Sequence, residues 1–377
     1  MQKLSKDELI QLVKAVFPQL PQDNKLAIIV DVPNSPQEDK SSWAARRQLA
    51  YEWFCELQSG LSELGLSDVS LVAYPSVGMN NADLPEYGHA VSAIPDLSTS
   101  LSAKVTFAEI FTSHQLFLAP TQYSATAPMK LNAKKYGFRA ATMPGFALNM
   151  MPALRIDYGL VNERCQLMKQ KLDAAVGADV FFRADDKECH TYFDLRFRPG
   201  HASSGRFPDP GTAGNLPSGE TFIVPYEGEK GEPSQTQGVL PVQFDDEIVL
   251  FKIQANNAVG VLTDGVKSRE QADYLRREPA YGNMAELGFG ILADFGLEPI
   301  GEILLDEKLA FHIAFGRSDH FGGVTGAARF SSPKTVVHID YIYSPKIQRR
   351  ISVSNLDLIS KDATRETIIQ HDKYLIF

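Results

Sequence analysis

Cysteine is scarce in this chain, which has only Cys55, Cys165 and Cys189 among its 377 residues. The three are widely spaced, odd in number and without a Cys-x-x-Cys pair, so they favour a reducing compartment over a disulfide framework. A catalytic thiol would need a base beside it, and the adjacent His190 points to the opposite face if Cys189 lies in a strand. We therefore expect a cytoplasmic protein whose cysteines are packing residues.

Long apolar runs and an excess of positive charge are also missing. No window approaches the roughly 18 consecutive apolar residues of a membrane span, and the N-terminus has an amphipathic helix pattern instead of a signal peptide. The 46 acidic residues outnumber the 37 basic ones, and the net charge of -9 argues against a nucleic-acid-binding surface. We expect a small peptide or another small molecule as the partner, and neither nucleic acid nor membrane.

The length of the chain predicts two domains, because single cores usually stop growing at roughly 250–300 residues. Up to about residue 185, strand and helix patterns alternate, which indicates a parallel sheet with crossover helices. No Gly-x-Gly-x-x-Gly motif follows the first predicted strand, Lys25–Val32, so no dinucleotide cofactor is expected. The predicted fold is α/β, with a Rossmann-like α/β domain at residues 1–185 and an α+β metal-site domain at 186–377.

The coarse secondary-structure prediction follows hydrophobic periodicity and turn residues. Further strands are predicted in the first half at 69–74, 115–119, 138–141 and 179–183, with helices at 43–64 and 158–176. The second half has predicted strands at 191–198, 221–224, 239–244, 248–254, 310–315 and 335–343, and a helix at 267–278.

Two glutamates follow small or turn-forming residues. The segment Asn-Leu-Pro-Ser-Gly precedes Glu220, which begins a predicted strand. The turn and the strand together would fix the position of the carboxylate, as metal ligation requires. Glu286 lies among small residues between Gly282 and Gly290, which allow a ligand or a backbone segment to approach closely. Taken singly, Glu220 also fits a surface position after a turn, and Glu286 also fits an exposed loop.

Two predicted strands contain histidines. His312 is the single imidazole of an apolar strand, a pattern that is more often a satisfied core residue than a ligand. His338 and Asp340 are separated by one residue, so the period-two geometry of a strand places them on the same face. A buried aspartate without a nearby lysine or arginine needs a cation or hydrogen-bond donors, although His-x-Asp by itself is a common pattern.

Together these side chains make up the ligand inventory of a two-metal hydrolase: Glu220, Glu286, His312, His338 and Asp340. Carboxylates supply hard oxygen ligands and can bridge two cations, whereas neutral imidazoles suit Zn, Co, Mn or Fe. Two cations roughly 3.5–4 Å apart activate a water and polarise the carbonyl that it attacks. The prediction depends on the conjunction of the motifs, since each motif alone is ambiguous.

The four motifs resemble, in the same order, those of the aminopeptidase T and aminopeptidase S family of bacterial metalloaminopeptidases. Its members show an N-L-P-S-G-E turn, a later Glu among small residues, an H-I-A-(L/F)-G strand and a terminal H-x-D strand. These correspond here to 215–220, 285–288, 312–316 and 338–340, within a resemblance that covers about residues 100–345. The resemblance implies that the five side chains hold two divalent ions (Zn, Co or Mn) in a homodimeric aminopeptidase.

The sequence departs from this family pattern near the expected site. The family has a tyrosine seven residues after the histidine of its H-I-A-x-G strand, whereas this chain has Asp319 there, followed by His320. Either side chain is a candidate ligand or acid-base catalyst. We expect Glu286 to bridge the two cations, and Glu220 or Asp319 to relay a proton to the leaving amine.

Two other functions stay open at the level of sequence. The related 2,5-dihydroxypyridine dioxygenases hold one Fe(II) with two histidines and an aspartate, and their last two ligands resemble His338 and Asp340. Their remaining histidine would have to be His312 or His320 in this chain. The missing tyrosine is also compatible with a non-peptidase biosynthetic relative on the same scaffold.

Overall fold

The computed structural model describes residues 3–98 and 103–377, which form two compact units. The first unit contains the described residues up to Asn162 together with Ser203–Ser218, and the second contains Glu163–Ala202 and Gly219–Phe377. The chain therefore passes between the units three times, whereas the sequence predicted a single boundary near residue 185. The mixed α/β fold class is confirmed, and the Rossmann-like description of the first half stays a prediction.

The α-helices of the described residues are numbered in chain order: α1 Lys6–Val16, α2 Ser41–Ser59, α3 Leu61–Leu64, α4 Phe107–Ser113, α5 Thr126–Tyr136, α6 Tyr158–Ala174, α7 Val266–Arg277 and α8 Ile303–Asp306. No helix among them is both long and apolar enough to cross a lipid bilayer.

The strands of the same residues are β1 Lys25–Val32, β2 Asp68–Pro75, β3 Tyr87–Val91, β4 Lys104–Thr106, β5 Leu116–Ala119, β6 Arg139–Thr142, β7 Ala175–Ala184, β8 Lys187–Asp194, β9 His201–Ser203, β10 Ala213–Asn215, β11 Glu220–Ile223, β12 Gln237–Phe244, β13 Glu247–Gln254, β14 Asn257–Val261, β15 Met284–Gly290, β16 Phe311–Gly316, β17 His338–Ile342, β18 Ile351–Ser360, β19 Arg365–Gln370 and β20 Lys373–Tyr374.

The first unit is built on a sheet whose central strands are parallel. Its order within the described residues is β10-β6-β5-β1-β2-β3-β4, with β3 and β4 antiparallel at one edge. Strand β1 is buried along seven consecutive residues, as expected for a strand covered on both faces. Helix α2 contacts β1 and β2, and α5 contacts β6, so the predicted alternation of strands and helices is confirmed in this unit.

A buried ion pair stabilises the first unit. The Arg139 guanidinium lies 2.5 Å from the Asp23 carboxylate and also donates to the carbonyl oxygens of Pro18 and Phe207. Asp23→Ala leaves the guanidinium buried with only these carbonyls, so we expect a loss of about 3 kcal/mol of unfolding free energy. Urea unfolding followed by tryptophan fluorescence measures this loss, because Trp43 and Trp53 both belong to the first unit.

The matched control is an exposed ion pair in the same unit, between Lys3 and Glu52. Solvent screens this pair, so Glu52→Ala should change the unfolding free energy by less than about 1 kcal/mol. Equal losses of unfolding free energy in Asp23→Ala and Glu52→Ala would show that burial does not increase the contribution of the Asp23 ion pair to stability.

The second unit consists mainly of two sheets that share one core. One sheet has the order β17-β16-β15-β11-β9, and the other has the order β14-β13-β12-β8-β7-β18-β19-β20. Apolar side chains of both sheets belong to one buried cluster, in which the rings of Phe251 and Phe315 lie 5.2 Å apart. The five-stranded sheet therefore has one face against this core, and its opposite face is the one that carries polar side chains.

Three predicted elements differ from the structure. The helix predicted at 43–64 is interrupted at Gly60, where an added Cβ would lie 2.6 Å from Ile10 Cδ1 of α1. The strand predicted at 191–198 ends at Asp194, whose carboxylate accepts bonds from the backbone and guanidinium of Arg196 and thereby forms a turn. The strand predicted at 335–343 is shortened to β17 because Pro333–Thr335 forms a 3-10 turn.

The cysteines are free thiols, of which Cys165 and Cys189 are buried and Cys55 is exposed. The packing role predicted for Cys55 is therefore wrong. His190 is exposed, on the face of β8 opposite to Cys189, and its imidazole lies 2.6 Å from the Asp179 carboxylate. This arrangement gives no support to a thiol catalyst.

Candidate metal centre

One face of the five-stranded sheet carries all five candidate ligands, which lie on β11, β15, β16 and β17. Side chains alternate between the faces of a strand, and Leu287, Ile313 and Ile339, which adjoin the ligands in sequence, pack in or against the apolar core. Because the four strands are consecutive neighbours in the sheet, their polar side chains converge on its other face. The structure thus brings together the residues that the sequence motifs singled out.

Small residues between the ligands make this convergence possible. Gly288 pairs with His312 in the antiparallel register, and a Cβ at Gly288 would lie 1.9 Å from His312 Nε2. Ala314 pairs with both Glu286 and Asp340, so a single methyl group separates the two carboxylates across three strands. The small-residue pattern that surrounds Glu286 therefore has a steric reason.

The ligand atoms form two groups that share Glu286. The Glu220 half-site consists of Glu220, Glu286 and His312, and the Asp340 half-site consists of Glu286, His338 and Asp340; within each, one ligand atom per residue lies within 4.8 Å of the others. Glu286 Oε1 lies 3.5 Å from His312 Nε2, whereas its Oε2 lies 3.3 Å from His338 Nε2. Each carboxylate oxygen thus faces a different half-site.

Backbone carbonyls orient both imidazoles toward the centre. His312 Nδ1 lies 3.2 Å from the Ala310 carbonyl oxygen, and His338 Nδ1 lies 2.8 Å from that of Arg317. A proton on each Nδ1 leaves Nε2 with its lone pair directed at the carboxylates, which is the tautomer that ligates a cation. Exposure rises from 1% for the His312 side chain to 19% for that of His338, so the Asp340 half-site is the more accessible.

One buried oxygen tests whether these residues fit a metal ion. Glu220 Oε2 is shielded from solvent, has no hydrogen-bond partner and lies 3.7 Å from His312 Nε2. A buried carboxylate oxygen without a partner is costly unless a cation or a donor is bound to it. The orphaned oxygen, the two imidazoles and the shared carboxylate together fit divalent cations with mixed nitrogen and oxygen ligands.

Electrostatic interactions in the centre favour positive charge at the imidazoles. Burial opposes the charge of His312, but the bond to Glu286 and the nearby carboxylates prevail and raise its pKa to about 9. Burial likewise opposes the ionised form of Glu286, yet hydrogen bonds from His312 and His338 hold the pKa of Glu286 far below its usual value. Protons on the imidazoles thus compensate the carboxylates when no cation is bound, and cations are expected to displace them.

Sequence reasoning missed Lys308 and Glu307. The buried Lys308 ammonium lies 2.5 Å from Glu220 Oε1 and also binds the Glu307 carboxyl group. Burial, opposed by the ammonium and reinforced by Glu220, raises the pKa of Glu307 to about 8. The available signal was a charged pair between apolar segments four and five residues before His312, but such a pair is more typical of a solvated turn.

Asp319 and His320 begin a short 3-10 turn beside the Asp340 half-site. The Asp319 carboxylate is held by Arg317, whose Nε lies 2.5 Å from it. The ring of His320 lies 5.2 Å from the ring of His338, centroid to centroid. Partial burial and the neighbouring His338 lower the pKa of His320 to about 4, so its imidazole is uncharged at neutral pH.

Glu227 anchors the loop that carries His320. Its carboxylate accepts hydrogen bonds from the side chains of Ser318 and Thr325 and from the backbone of Val324. Gly323 permits this packing, because a Cβ there would lie 2.2 Å from Ser318 Oγ. His320 is therefore held near the centre by bonds at both ends of its loop.

An aromatic surface adjoins the ligands on the same side. Phe222, two residues after Glu220 on β11, contacts Phe321 with ring centroids 4.8 Å apart, and Phe321 contacts His338 at 5.3 Å. His201 stacks on Phe222 at 5.1 Å. This surface provides an apolar wall next to the more accessible half-site.

The fold and these side chains define a mixed α/β protein with acidic and histidine groups able to hold metal. No protein-family model matches the sequence, and no curated protein matches it. Two solved enzyme structures share the fold. The first is the 2,5-dihydroxypyridine dioxygenase from Pseudomonas putida KT2440, with 16% sequence identity and a TM-score of 0.61, and the match covers 100% of this chain and 99% of that one. The second is wild-type AmpT, an aminopeptidase T from Thermus thermophilus, with 14% sequence identity and a TM-score of 0.55, and the match covers 98% of this chain and 100% of that one. At these identities the similarity establishes a distant structural relationship alone.

Proposed function

We propose that this protein is a hydrolase dependent on two divalent cations, and specifically an aminopeptidase that releases N-terminal residues from small peptides. The observation that carries the proposal is the position of Glu286, whose two carboxylate oxygens face different imidazoles in two half-sites. A carboxylate in that position is suited to bridge a pair of cations. Zn, Co or Mn suits this ligand set, and a cytoplasmic homodimer remains part of the proposal.

Different residues of the chain would bind the cations and the substrate in such a reaction. Two bound divalent cations would supply an activated water and a polarised carbonyl group. The five candidate ligands would hold the cations, while the apolar wall of Phe222 and Phe321 would receive the side chain next to the scissile bond. With both cations bound the centre would carry an excess of positive charge, which suits a substrate whose N-terminal amine is neutral and whose scissile carbonyl oxygen gains negative charge during attack.

The dioxygenase alternative has weaker support from the geometry. A mononuclear Fe(II) oxygenase needs two histidines and one carboxylate on one cation. Among the described residues, neither half-site contains two histidines: His312 belongs to one and His338 to the other, and His320 belongs to neither, although its ring lies 5.2 Å from that of His338. The hydrolase is therefore the better match to the ligand set, although the dioxygenase shares the fold.

The function is tested with purified protein and a panel of aminoacyl p-nitroanilides that includes leucyl and phenylalanyl compounds. We expect hydrolysis that disappears after EDTA treatment and returns when Zn, Co or Mn is added. Undiminished hydrolysis in EDTA would overturn the metal-dependent mechanism. Anaerobic purification that yields one iron per chain, together with O₂ uptake in the presence of 2,5-dihydroxypyridine, would establish the alternative instead.

His320 is the better candidate for the proton relay, because Asp319 is already bound by Arg317. His320→Gln should lower kcat about 10²-fold and leave the metal content unchanged, since general acid-base catalysis contributes roughly 10²–10⁴-fold. The lower end of that range is expected because the His320 side chain is 38% exposed, so solvent can partly replace it. Steady-state kinetics combined with metal analysis measures both effects.

Asp319→Asn provides the comparison within the same turn. It removes an exposed ion pair worth up to about 1 kcal/mol, so kcat should change by less than about fivefold. A larger effect for Asp319→Asn than for His320→Gln would assign the relay to Asp319. Loss of metal in His320→Gln would identify His320 as a ligand instead of a proton carrier.

A further inference from the structure

Lys308 introduces a fixed positive charge at one end of the metal centre. Its side chain is only 4% exposed, and its ammonium contacts Glu220 Oε1 at 2.5 Å and the Glu307 carboxyl group. Strand β15 approaches this turn closely at Gly290, where a Cβ would lie 2.4 Å from the Lys308 carbonyl carbon. The lysine is therefore held against the Glu220 half-site by its own backbone as well as by its ion pairs.

Among the described residues, the Asp340 half-site has no lysine or arginine that corresponds to Lys308. Within residues 3–98 and 103–377, no lysine or arginine forms an ion pair with Glu286 or Asp340, and the guanidinium of Arg317, whose backbone carbonyl lies against His338, is bound to Asp319. The Asp340 carboxylate is instead paired with His338 at 3.4 Å. The two half-sites thus share Glu286 but differ by one ammonium.

We propose that Lys308 makes the two half-sites unequal, so that the Asp340 half-site binds its cation first and the Glu220 half-site binds a second cation more weakly. This inference rests on the metal centre of the proposed function. It concerns the order and affinity of metal loading and requires no particular substrate. Lys308 is a positioning residue in this scheme, because it acts through Glu220.

Two physical effects weaken the Glu220 half-site. The ammonium binds Glu220 Oε1 and draws electron density from it, which makes this oxygen a poorer ligand and leaves Oε2 as the oxygen without a hydrogen-bond partner. It also repels a dication across a region of low dielectric constant, where Coulomb interactions are strong. The second cation must therefore bind with a poorer ligand and against a like charge.

The charge balance points the same way. The three ligand carboxylates and the ammonium leave two net negative charges when the imidazoles are neutral, and one divalent cation matches them. Glu307 changes this balance little near neutral pH, since its raised pKa keeps it mostly uncharged. A second divalent cation gives the centre an excess of positive charge unless an anion accompanies it.

Titration of the metal-free protein with Co²⁺ tests the inference, followed by calorimetry and by the visible absorption of bound cobalt. We expect two classes of site in the unmodified protein, with dissociation constants at least tenfold apart. His338→Ala should remove the tighter class, and His312→Ala the weaker one. Two equal sites in the unmodified protein, or the reverse assignment, would overturn the proposal.

Variants of Lys308 separate its charge from its structural role. Lys308→Met and Lys308→Gln both remove the charge, and the second keeps a hydrogen-bond donor for Glu220 in case the first fails to fold. Each should tighten the weaker class at least tenfold and leave the tighter class nearly unchanged, whereas Lys308→Arg should keep the weaker class weak. Weaker or unchanged second-site binding in a folded neutral variant would show that the lysine only supports the structure.

These measurements distinguish failure of this inference from failure of the proposed function. Unequal loading that responds to Lys308, in a protein without peptidase activity, supports the inference and rejects the hydrolase. Peptide hydrolysis with two equal cobalt sites supports the hydrolase and rejects the inference. Absence of any cobalt binding rejects both.

Discussion

Glu286→Gln is expected to abolish binding of both cations and to lower kcat by about 10³-fold or more. The substitution preserves the size of the side chain but replaces one oxygen by an amide donor and removes the negative charge. Each half-site then retains only two of its three ligands, because Glu286 belongs to both. The expected loss matches the 10²–10³-fold that follows removal of a single electrostatic group from an active site, with the loss of cations added to it. Metal analysis of the purified variant and p-nitroanilide kinetics give the two readouts.

Glu278→Gln is a suitable control for this variant. Glu278 is another buried glutamate of the second unit, and its carboxylate accepts two bonds from Ser331 instead of facing the imidazoles. Its replacement should leave metal content and kcat within about twofold of the unmodified protein, because substitutions away from an active site act mainly on stability. Retention of two cations per chain by Glu286→Gln would contradict the shared position that we assign to Glu286.

Strand periodicity is local, so the sequence was sufficient to predict which candidate side chains share a face. His338 and Asp340 share a face whenever their segment is a strand, and the structure places His338 Nε2 3.4 Å from Asp340 Oδ1. Glu286 was ambiguous, since its glycine-rich surroundings also fit an exposed loop. The loop interpretation is wrong: β15 is buried along its whole length. Gly288 of β15 leaves room for the imidazole of His312 on the neighbouring strand β16. The sequence alone does not show that these two residues are paired.

Other features depended on contacts between distant segments and were not predictable from local pattern. Lys308 lies 88 residues from its partner Glu220, so the sequence alone shows a charged turn and not an ion pair. Asp319 and His320 were equivalent candidates until the structure placed Arg317 on Asp319 and the ring of His320 beside that of His338. In these cases the candidates differ in contacts that only the folded chain forms.

The C-terminal strands show a signal that the sequence interpretation did not use. In β18 the buried positions Ile351 and Val353 alternate with less buried ones, as do Leu356 and Leu358. A shift of register between Val353 and Asn355 divides the two alternating stretches, which obscures a continuous period of two. The strand lies between β7 and β19 in the sheet that shares its core with the sheet of the candidate ligands.

Gly260→Ala is the control for a steric prediction about Gly288, which is given in the next paragraph. Gly260 lies on β14 of the same unit, and a Cβ there would have no atom within 4 Å. Its replacement should therefore leave metal content unchanged and alter kcat by less than about twofold, as expected for a substitution away from packed features. Any effect of an added methyl group on strand formation in general would be visible in this variant.

Gly288→Ala is expected to remove the cation of the Glu220 half-site and to lower kcat by more than about 10²-fold. The new Cβ would lie 1.9 Å from His312 Nε2, well inside van der Waals contact, so the imidazole must move by more than 1 Å. Misplacement of a catalytic group by about 1 Å alone costs roughly 10²-fold. The neighbours leave the ring little room, because His312 is 1% exposed and Glu220 and Glu286 flank its Nε2. Cobalt titration should then show only the class of site that depends on His338, and two intact classes in a folded Gly288→Ala protein would show that His312 does not ligate a cation from this position.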